Sequence, residues 1–194
     1  DHLIEGDIEF KNAIENAKKM VEQQSCLTTI GIKPRYAATG YGYIQMGPEL
    51  SHGYGVAQFV EKPVESVAKQ YIACGDYLWN SGMFLLAAQS YLDALLQYQP
   101  EMHRACWAAM ASASRDLDFL RPDTDLFLAC PSDSIDYEVM EHTDRGGIVP
   151  LDCEWSDIGA WSALWDVGIP DAEGNVIEGD VLTQETTNSY LRSE

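Results

Sequence analysis

Apolar residues return every three or four positions over residues 7–24, where Phe10, Ile14, Ala17 and Val21 fall on one face and Asp7 stands at the N-cap position; this predicts an amphipathic helix. Residues 26–32 are β-branched and stop at Lys33-Pro34, which predicts a strand. Tyr41-Gly42-Tyr43-Ile44 reads as a short strand and the Gly- and Pro-containing stretch 47–55 as a loop. Val56 to Glu61 alternates and reads as a strand halted by Pro63. A helix over 64–74 ends at Gly75, a natural left-handed terminator. The continuous run Met83 to Ala87 predicts a strand buried on both faces. Helices are expected over 89–99 and 100–113, divided by Pro100 at a first helical position. Residues 121–132 read as irregular, 133–143 as a helix capped by Asp133 or Ser134, and Ile148 to Leu151 as a strand. Trp161, Leu164 and Trp165 share a face of a helix beginning near Asp157. The polar tail, 168–194, carries two short β signals, at Val176-Ile177 and Val181-Leu182.

Helices alternating with strands predict an α/β sandwich with a mixed sheet covered on both faces. Such folds ordinarily open with a strand and a nucleotide-gripping loop. This chain opens with a polar stretch and a helix, so the sheet is expected to be incomplete.

Composition narrows the class. The 194 residues are 46% hydrophobic and 22% charged, which is globular rather than disordered. A net charge of −19 excludes a free-standing nucleic-acid binder and an anionic membrane partner. It does not exclude an anionic small substrate, because a metal or a few placed cations reverse the field locally. No apolar run reaches bilayer length, and Asp1-His2-Leu3-Ile4-Glu5 has no leader-like character. Five widely spaced cysteines without a C-x-x-C pair predict reduced, mostly buried thiols and a cytoplasmic location. Four scattered histidines give no metal spacing.

Phosphate-loop, nucleophile-elbow and dinucleotide motifs are absent. Five clusters remain, each with a structural reading beside a chemical one. In Thr39-Gly40-Tyr41-Gly42-Tyr43-Ile44, the glycines allow close backbone approach to a ligand or simply form a turn. In Phe59-Val60-Glu61-Lys62-Pro63, a carboxylate and an ammonium meet at a strand end, able to bind sugar hydroxyls and a phosphate or to pair in solvent. Strict alternation would put Glu61 and Lys62 on opposite faces, so both can line a site only if the strand ends, twists or bulges there. In Trp79-Asn80-Ser81-Gly82-Met83-Phe84, small polar groups precede a buried strand, as in a binding loop or a strand entry. Asp136 lies in an acidic stretch that also reads as helix capping. Asp157, in Trp155-Ser156-Asp157-Ile158-Gly159, is either a helix cap or one ligand of a Mg²⁺ that carries substrate phosphates.

In this order, and together with Ser134-Ile135-Asp136-Tyr137, Gly174-Asn175-Val176 and Gly179-Asp180-Val181, the clusters resemble the bacterial mannose-1-phosphate guanylyltransferases. The resemblance implies a Rossmann-like (GT-A-like) nucleotidyltransferase sandwich with a mixed sheet, N-terminally truncated. It implies that GTP and mannose 1-phosphate are joined into GDP-mannose and pyrophosphate, with Mg²⁺, and that the product feeds polysaccharide biosynthesis. Carried over by position, Asp1 and Asp157 become the metal ligands and act in catalysis with Lys62, which lies near the sugar phosphate. Tyr41, Gly42 and Glu61 become sugar-binding positions, Asn80 and Gly82 the loop over the sugar, and Asp136 a further substrate contact.

The chain departs from the family at three points. The Gly-rich basic signature that grips the triphosphate has no match, Ala37-Ala38 replaces a common Pro-Glu, and His142 replaces a basic residue. The resemblance therefore implies that residues 1–167 are the later part of a catalytic domain and that 168–194 are a linker and the start of a β-rich region. It also implies that the chain alone is inactive, and that exposed sheet edges leave it open to homo-oligomer formation. The competing expectations are a nucleotidyltransferase for another hexose 1-phosphate, and a non-catalytic acidic regulatory or assembly domain.

Overall fold

The computed structural model describes residues 2–193. In chain order the elements are β1 (Leu3–Glu5), α1 (Asp7–Gln24), β2 (Leu27–Ile32), β3 (Tyr43–Leu50), β4 (Gly53–Val60), α2 (Glu65–Cys74) and β5 (Tyr77–Leu85). They continue with α3 (Ala88–Tyr98), α4 (Pro100–Ala111), β6 (Ser114–Asp116), β7 (Phe119–Arg121), α5 (Thr124–Leu128) and a π-helical turn over Asp136–Met140. The last are β8 (Gly146–Leu151), β9 (Glu154–Ser156), α6 (Trp161–Val167), β10 (Val176–Glu178) and β11 (Tyr190–Arg192). The chain forms two compact units, one from Glu9 to Asp152 and one from the residues before and after that span.

In the larger unit, β2, β5, β3, β4 and β8 form one mixed sheet in that order, and β8 returns to pair with β2. The β2–β8 pairing is parallel and the others are antiparallel. The β4–β8 seam that closes the ring is short, with Tyr54 opposite Ile148 and Gly55 opposite Gly147. Close approach there needs glycine. A Cβ on Gly53 would lie 2.5 Å from the Ile148 carbonyl, and one on Gly147 would lie 2.7 Å from Met20 Cε.

β2 forms where the β-branched run predicts a strand, and every one of its residues is buried. Leu27, Ile44, Phe59, Leu78 and Ile148 from the strands form the core with Ala94 and Leu95 of α3 and with Val139 and Met140. On α1 the buried face is centred on Ala13, Ala17 and Met20, with Phe10, Ile14 and Val21 half-buried beside them. Gly75 ends α2 in the left-handed region, at φ 79°, as expected.

Within the larger unit, four local expectations are corrected. Residues 47–55 are not a loop: β3 and β4 form a hairpin around Ser51-His52, and register shifts absorb Gly47 and Pro48. The strand expected at Met83 starts at Tyr77 instead, and its Met83–Leu85 end is half-buried rather than enclosed on both faces. The stretch 133–143 forms only the π-helical turn, with the Glu141 N–H donating to the Asp136 carbonyl at 3.0 Å. Residues 121–132, expected irregular, contain the short α5, capped by Asp123.

The smaller unit pairs β1 with β9 antiparallel and β10 with β11 parallel. Val181-Leu182, expected to be β, lies outside any strand. Buried Asn175 organises this tail. Its side chain donates to the Thr186 carbonyl at 2.8 Å and accepts from the Ser189 N–H at 3.1 Å.

Candidate functional site

The larger unit gathers Gly42, Glu61, Lys62, Asn80, Gly82 and Asp136, residues far apart in sequence. The first element of the site is the end of β4. The strand stops at Val60, and Lys62 takes a positive φ of 44°. This turn lifts the alternation constraint and lets the Lys62 ammonium fold onto Glu61 Oε1 at 2.9 Å. The Glu61 side chain is only 9% exposed whereas that of Lys62 is 59% exposed. Glu61 holds the Lys62 ammonium above its ordinary pKa, first by accepting its hydrogen bond and then by its charge, with smaller contributions from Tyr137 and Asp136. Glu61 Oε2 is buried and has no hydrogen-bond partner among the described residues. Gly42 leaves room for it, since a Cβ at that position would collide with Glu61 Oε2.

The second element is a bulge in β5. Gly31 pairs with Asn80 but Thr29 pairs with Phe84, so Ser81, Gly82 and Met83 together face the single residue Ile30. Ser81 Oγ pins the bulge, donating to the Ile30 carbonyl at 2.6 Å and accepting from the Met83 N–H at 3.2 Å. Gly82 supplies the φ of 72° that the bend requires.

Asn80 is engaged through its backbone N–H and both polar atoms of its side chain. Its N–H donates to the Gly42 carbonyl at 2.8 Å, and Nδ2 donates to Asp136 Oδ1 at 2.9 Å. Oδ1 accepts from the Gly82 N–H at 3.1 Å and from Thr29 Oγ1 at 3.4 Å. Asn80 thus ties three segments together and aims the Asp136 carboxylate.

Tyr41 packs edge-on against Trp79 at 5.3 Å between ring centroids, and Tyr36 does so at 4.9 Å. Ser81 is one of the small polar groups that the sequence places in a binding loop or strand entry, whereas nothing in the sequence singles out Thr29. In β2 the run Leu-Thr-Thr-Ile carries no mark that separates a threonine holding a site from one filling a sheet. A separate cavity of about 400 Å³ in the same unit is lined by Met46, Tyr54, Tyr77 and Leu151 among others, and by none of the clustered residues.

In the smaller unit, Asp157 is half-buried and does not cap a helix. α6 begins at Trp161, with Ala160 at its N-cap. Asp157 instead closes a tight turn, accepting from the Gly159 N–H at 3.2 Å, and Ile158 takes a φ of 46°. A Cβ on Gly159 would lie 2.8 Å from Asp157 Oδ2, so only a glycine lets the carboxylate fold back against this turn. Trp155 Nε1 donates to His2 Nδ1 at 3.1 Å, and Asp1 lies outside the described residues.

Among the described residues no group of three or more His, Cys, Asp or Glu forms a metal cage. Mg²⁺ characteristically takes one or two carboxylates and completes its shell with water and substrate phosphate. A half-buried hard oxygen donor, as at Asp157, fits that requirement. No helix among the described residues is long and apolar enough to cross a membrane.

Comparison with known proteins follows the same lines. The chain is 47% identical, over its full length, to a mannose-1-phosphate guanylyltransferase of Escherichia coli K12, and it spans 41% of that protein. The chain thus covers well under half the length of the curated relatives it matches. Among solved structures, a Thermus thermophilus protein described as a mannose-1-phosphate geranyltransferase superposes with a TM-score of 0.78 and 32% identity, over 91% of this chain and 50% of that one. A Helicobacter pylori protein described as a mannose-6-phosphate isomerase gives 0.72 and 30%, over 81% of this chain and 61% of that one. The nucleotidyl transferase family model matches residues 1–173, which bear the strand-end pair, the β5 bulge and the Asp157 turn, and the chain is a member of that family.

Proposed function

We propose that Glu61, Lys62, Asn80 and Asp136 hold the sugar phosphate of a mannose-1-phosphate guanylyltransferase. The observation that carries this reading is the buried, unpartnered Glu61 Oε2. A buried carboxylate oxygen without a donor is costly, and it is relieved when a ligand hydroxyl donates to it. Lys62, paired through the other oxygen, is more than half exposed and keeps its proton, so its charge is available to a phosphate beside that hydroxyl. Asp136, oriented by Asn80, offers further acceptor capacity for sugar hydroxyls. Gly42 and Gly82 keep side chains out of the space around these groups, and Tyr41 contributes aromatic surface.

The reaction needs no protein nucleophile. A phosphate oxygen of mannose 1-phosphate attacks the α-phosphorus of GTP, the bond to the β-phosphate oxygen breaks, and pyrophosphate leaves. The residues gathered here serve by positioning the attacking phosphate and neutralising its charge. Asp157, with Asp1, would hold Mg²⁺, which when bound offsets the negative charge of the phosphates. With this reading go GTP as the nucleotide and use of the product in polysaccharide biosynthesis, which rest on the family resemblance, a cytoplasmic location, which rests on the cysteine usage, and assembly into a homo-oligomer, which rests on exposed sheet edges.

Calorimetric titration of mannose 1-phosphate into this chain tests the reading. Saturable binding is expected, weakened at least tenfold by Glu61→Gln on the scale of a lost charge-assisted hydrogen bond. Stronger binding of glucose 1-phosphate would favour a nucleotidyltransferase for another hexose. Absence of binding by either sugar phosphate would favour the acidic regulatory or assembly domain.

A further inference from the structure

Cys106 on α4 and Cys130, two residues beyond α5, place their sulfurs 3.8 Å apart, although 24 residues separate them in sequence. The cysteine spacing predicts reduced, mostly buried thiols; only Cys26 and Cys153 are buried, and the fold brings two of the others together. Both residues are half-buried, so the pair is packed yet open to a small reagent. Cys26 and Cys153, by contrast, are buried, and Cys74 is exposed on α2.

A disulfide requires its sulfurs at about 2.05 Å, so closure of the pair asks for a shift of under about 2 Å. Cys130 can supply it. It lies past the C-terminus of α5, and its backbone is held there by one bond from its N–H to the Phe127 carbonyl at 3.0 Å. A metal-binding reading lacks a third ligand, because no group of three or more candidate ligands exists among the described residues.

We infer that Cys106 and Cys130 form an oxidation site, a dithiol that hydrogen peroxide converts into an intrachain disulfide. In the first step one sulfur takes an oxygen from the peroxide, becoming a sulfenic acid as one water leaves. In the second, the other sulfur attacks the sulfenic sulfur, the S–S bond forms, and the S–O bond breaks with departure of a second water. Two electrons pass from the sulfurs to the peroxide oxygens, and both thiol protons end in water. The bond ties α4 to the start of the segment that leads to Asp136, and it closes a loop that the unfolded chain would otherwise leave free.

The test uses the full chain, both wild type and with Cys74→Ser to remove the exposed competing thiol. Each is treated with hydrogen peroxide, alkylated, digested and analysed by mass spectrometry. The expected product is a Cys106–Cys130 linked peptide lighter by two hydrogen atoms, released by dithiothreitol and absent from Cys106→Ser. The oxidised chain should melt roughly 5–10 °C higher than the reduced one. Recovery of both cysteines alkylated, their separate over-oxidation, or a bond between two chains would each overturn the inference. None of these outcomes depends on what the Glu61 site binds.

Discussion

Asn80 donates from Nδ2 to Asp136 Oδ1 across 2.9 Å, joining a β5 bulge to a π-helical turn 56 residues away. The bond turns two separately ambiguous positions into one unit. Its worth can be measured with Asn80→Ala, Asp136→Ala and the double variant in urea unfolding. The pair should show a coupling of roughly 1–2 kcal/mol, as befits a hydrogen bond to a carboxylate. Asp136→Asn, which retains an acceptor oxygen, should lose less stability than Asp136→Ala.

Gly42→Ala tests whether the space beside Glu61 matters for binding more than for folding. The added methyl meets Glu61 Oε2, the end of a movable side chain, and comes within 3.2 Å of Asn80 Cβ. The carboxylate should swing aside at a stability cost of about 1 kcal/mol, within the ordinary range for a point substitution. Titration of mannose 1-phosphate should show an affinity loss of roughly tenfold or more, because Glu61 no longer presents its free oxygen.

The Lys62–Glu61 pair makes a pH-dependent prediction whose sign is fixed. Glu61 raises the folded-state pKa of Lys62 above its unfolded value. The stability the pair contributes is therefore fully present below about pH 10.4, the unfolded lysine value, and is lost as pH rises through the folded value. Urea midpoints of the wild type and Lys62→Met, compared from pH 7 to pH 11, should differ by a constant small amount until about pH 10 and converge above it. A difference that vanished between pH 7 and pH 9 would contradict the pairing.

Much of the framework was legible in the chain because local rules decide it. The β2 strand followed from its β-branched run, and the α2 stop at Gly75 followed from the need for a left-handed residue. Less legible were features set by partners distant in sequence. The β3–β4 hairpin looked like a loop because Gly47 and Pro48 are loop formers, yet a bulge lets the ladder pass around them. The acidic stretch around Asp136 looked like a helix start, and only its bond to Asn80 gives that carboxylate a direction. Asp157 looked like a helix cap because Trp161, Leu164 and Trp165 are helically spaced, but the helix they build starts at Trp161 itself. The residues proposed for the site were nameable from the resemblance. Thr29 was not, and Ser81 stood only as a small polar group before a buried strand, because a buried hydroxyl declares its supporting role only once its acceptor is in place.

Ser81 provides the most direct measure of how far the bulge supports the site. Its side chain is 5% exposed, and its hydroxyl serves two backbone groups, donating to Ile30 and accepting from Met83. Ser81→Ala removes both bonds while preserving the strand's Cβ, leaving a buried carbonyl and an N–H without that partner. Each orphaned group costs on the order of 1–3 kcal/mol, so a total loss of about 2–6 kcal/mol is expected in urea or thermal unfolding. Gly82→Ala is the contrasting change. No atom lies within 4 Å of its new methyl, so its cost is only that of the left-handed backbone, about 1 kcal/mol. If the bulge is what positions Asn80, Ser81→Ala should also weaken mannose 1-phosphate binding in conditions where the chain stays folded. A variant that lost stability but bound with wild-type affinity would show that Asn80 is held by Gly42, Thr29 and Asp136 without help from the bulge.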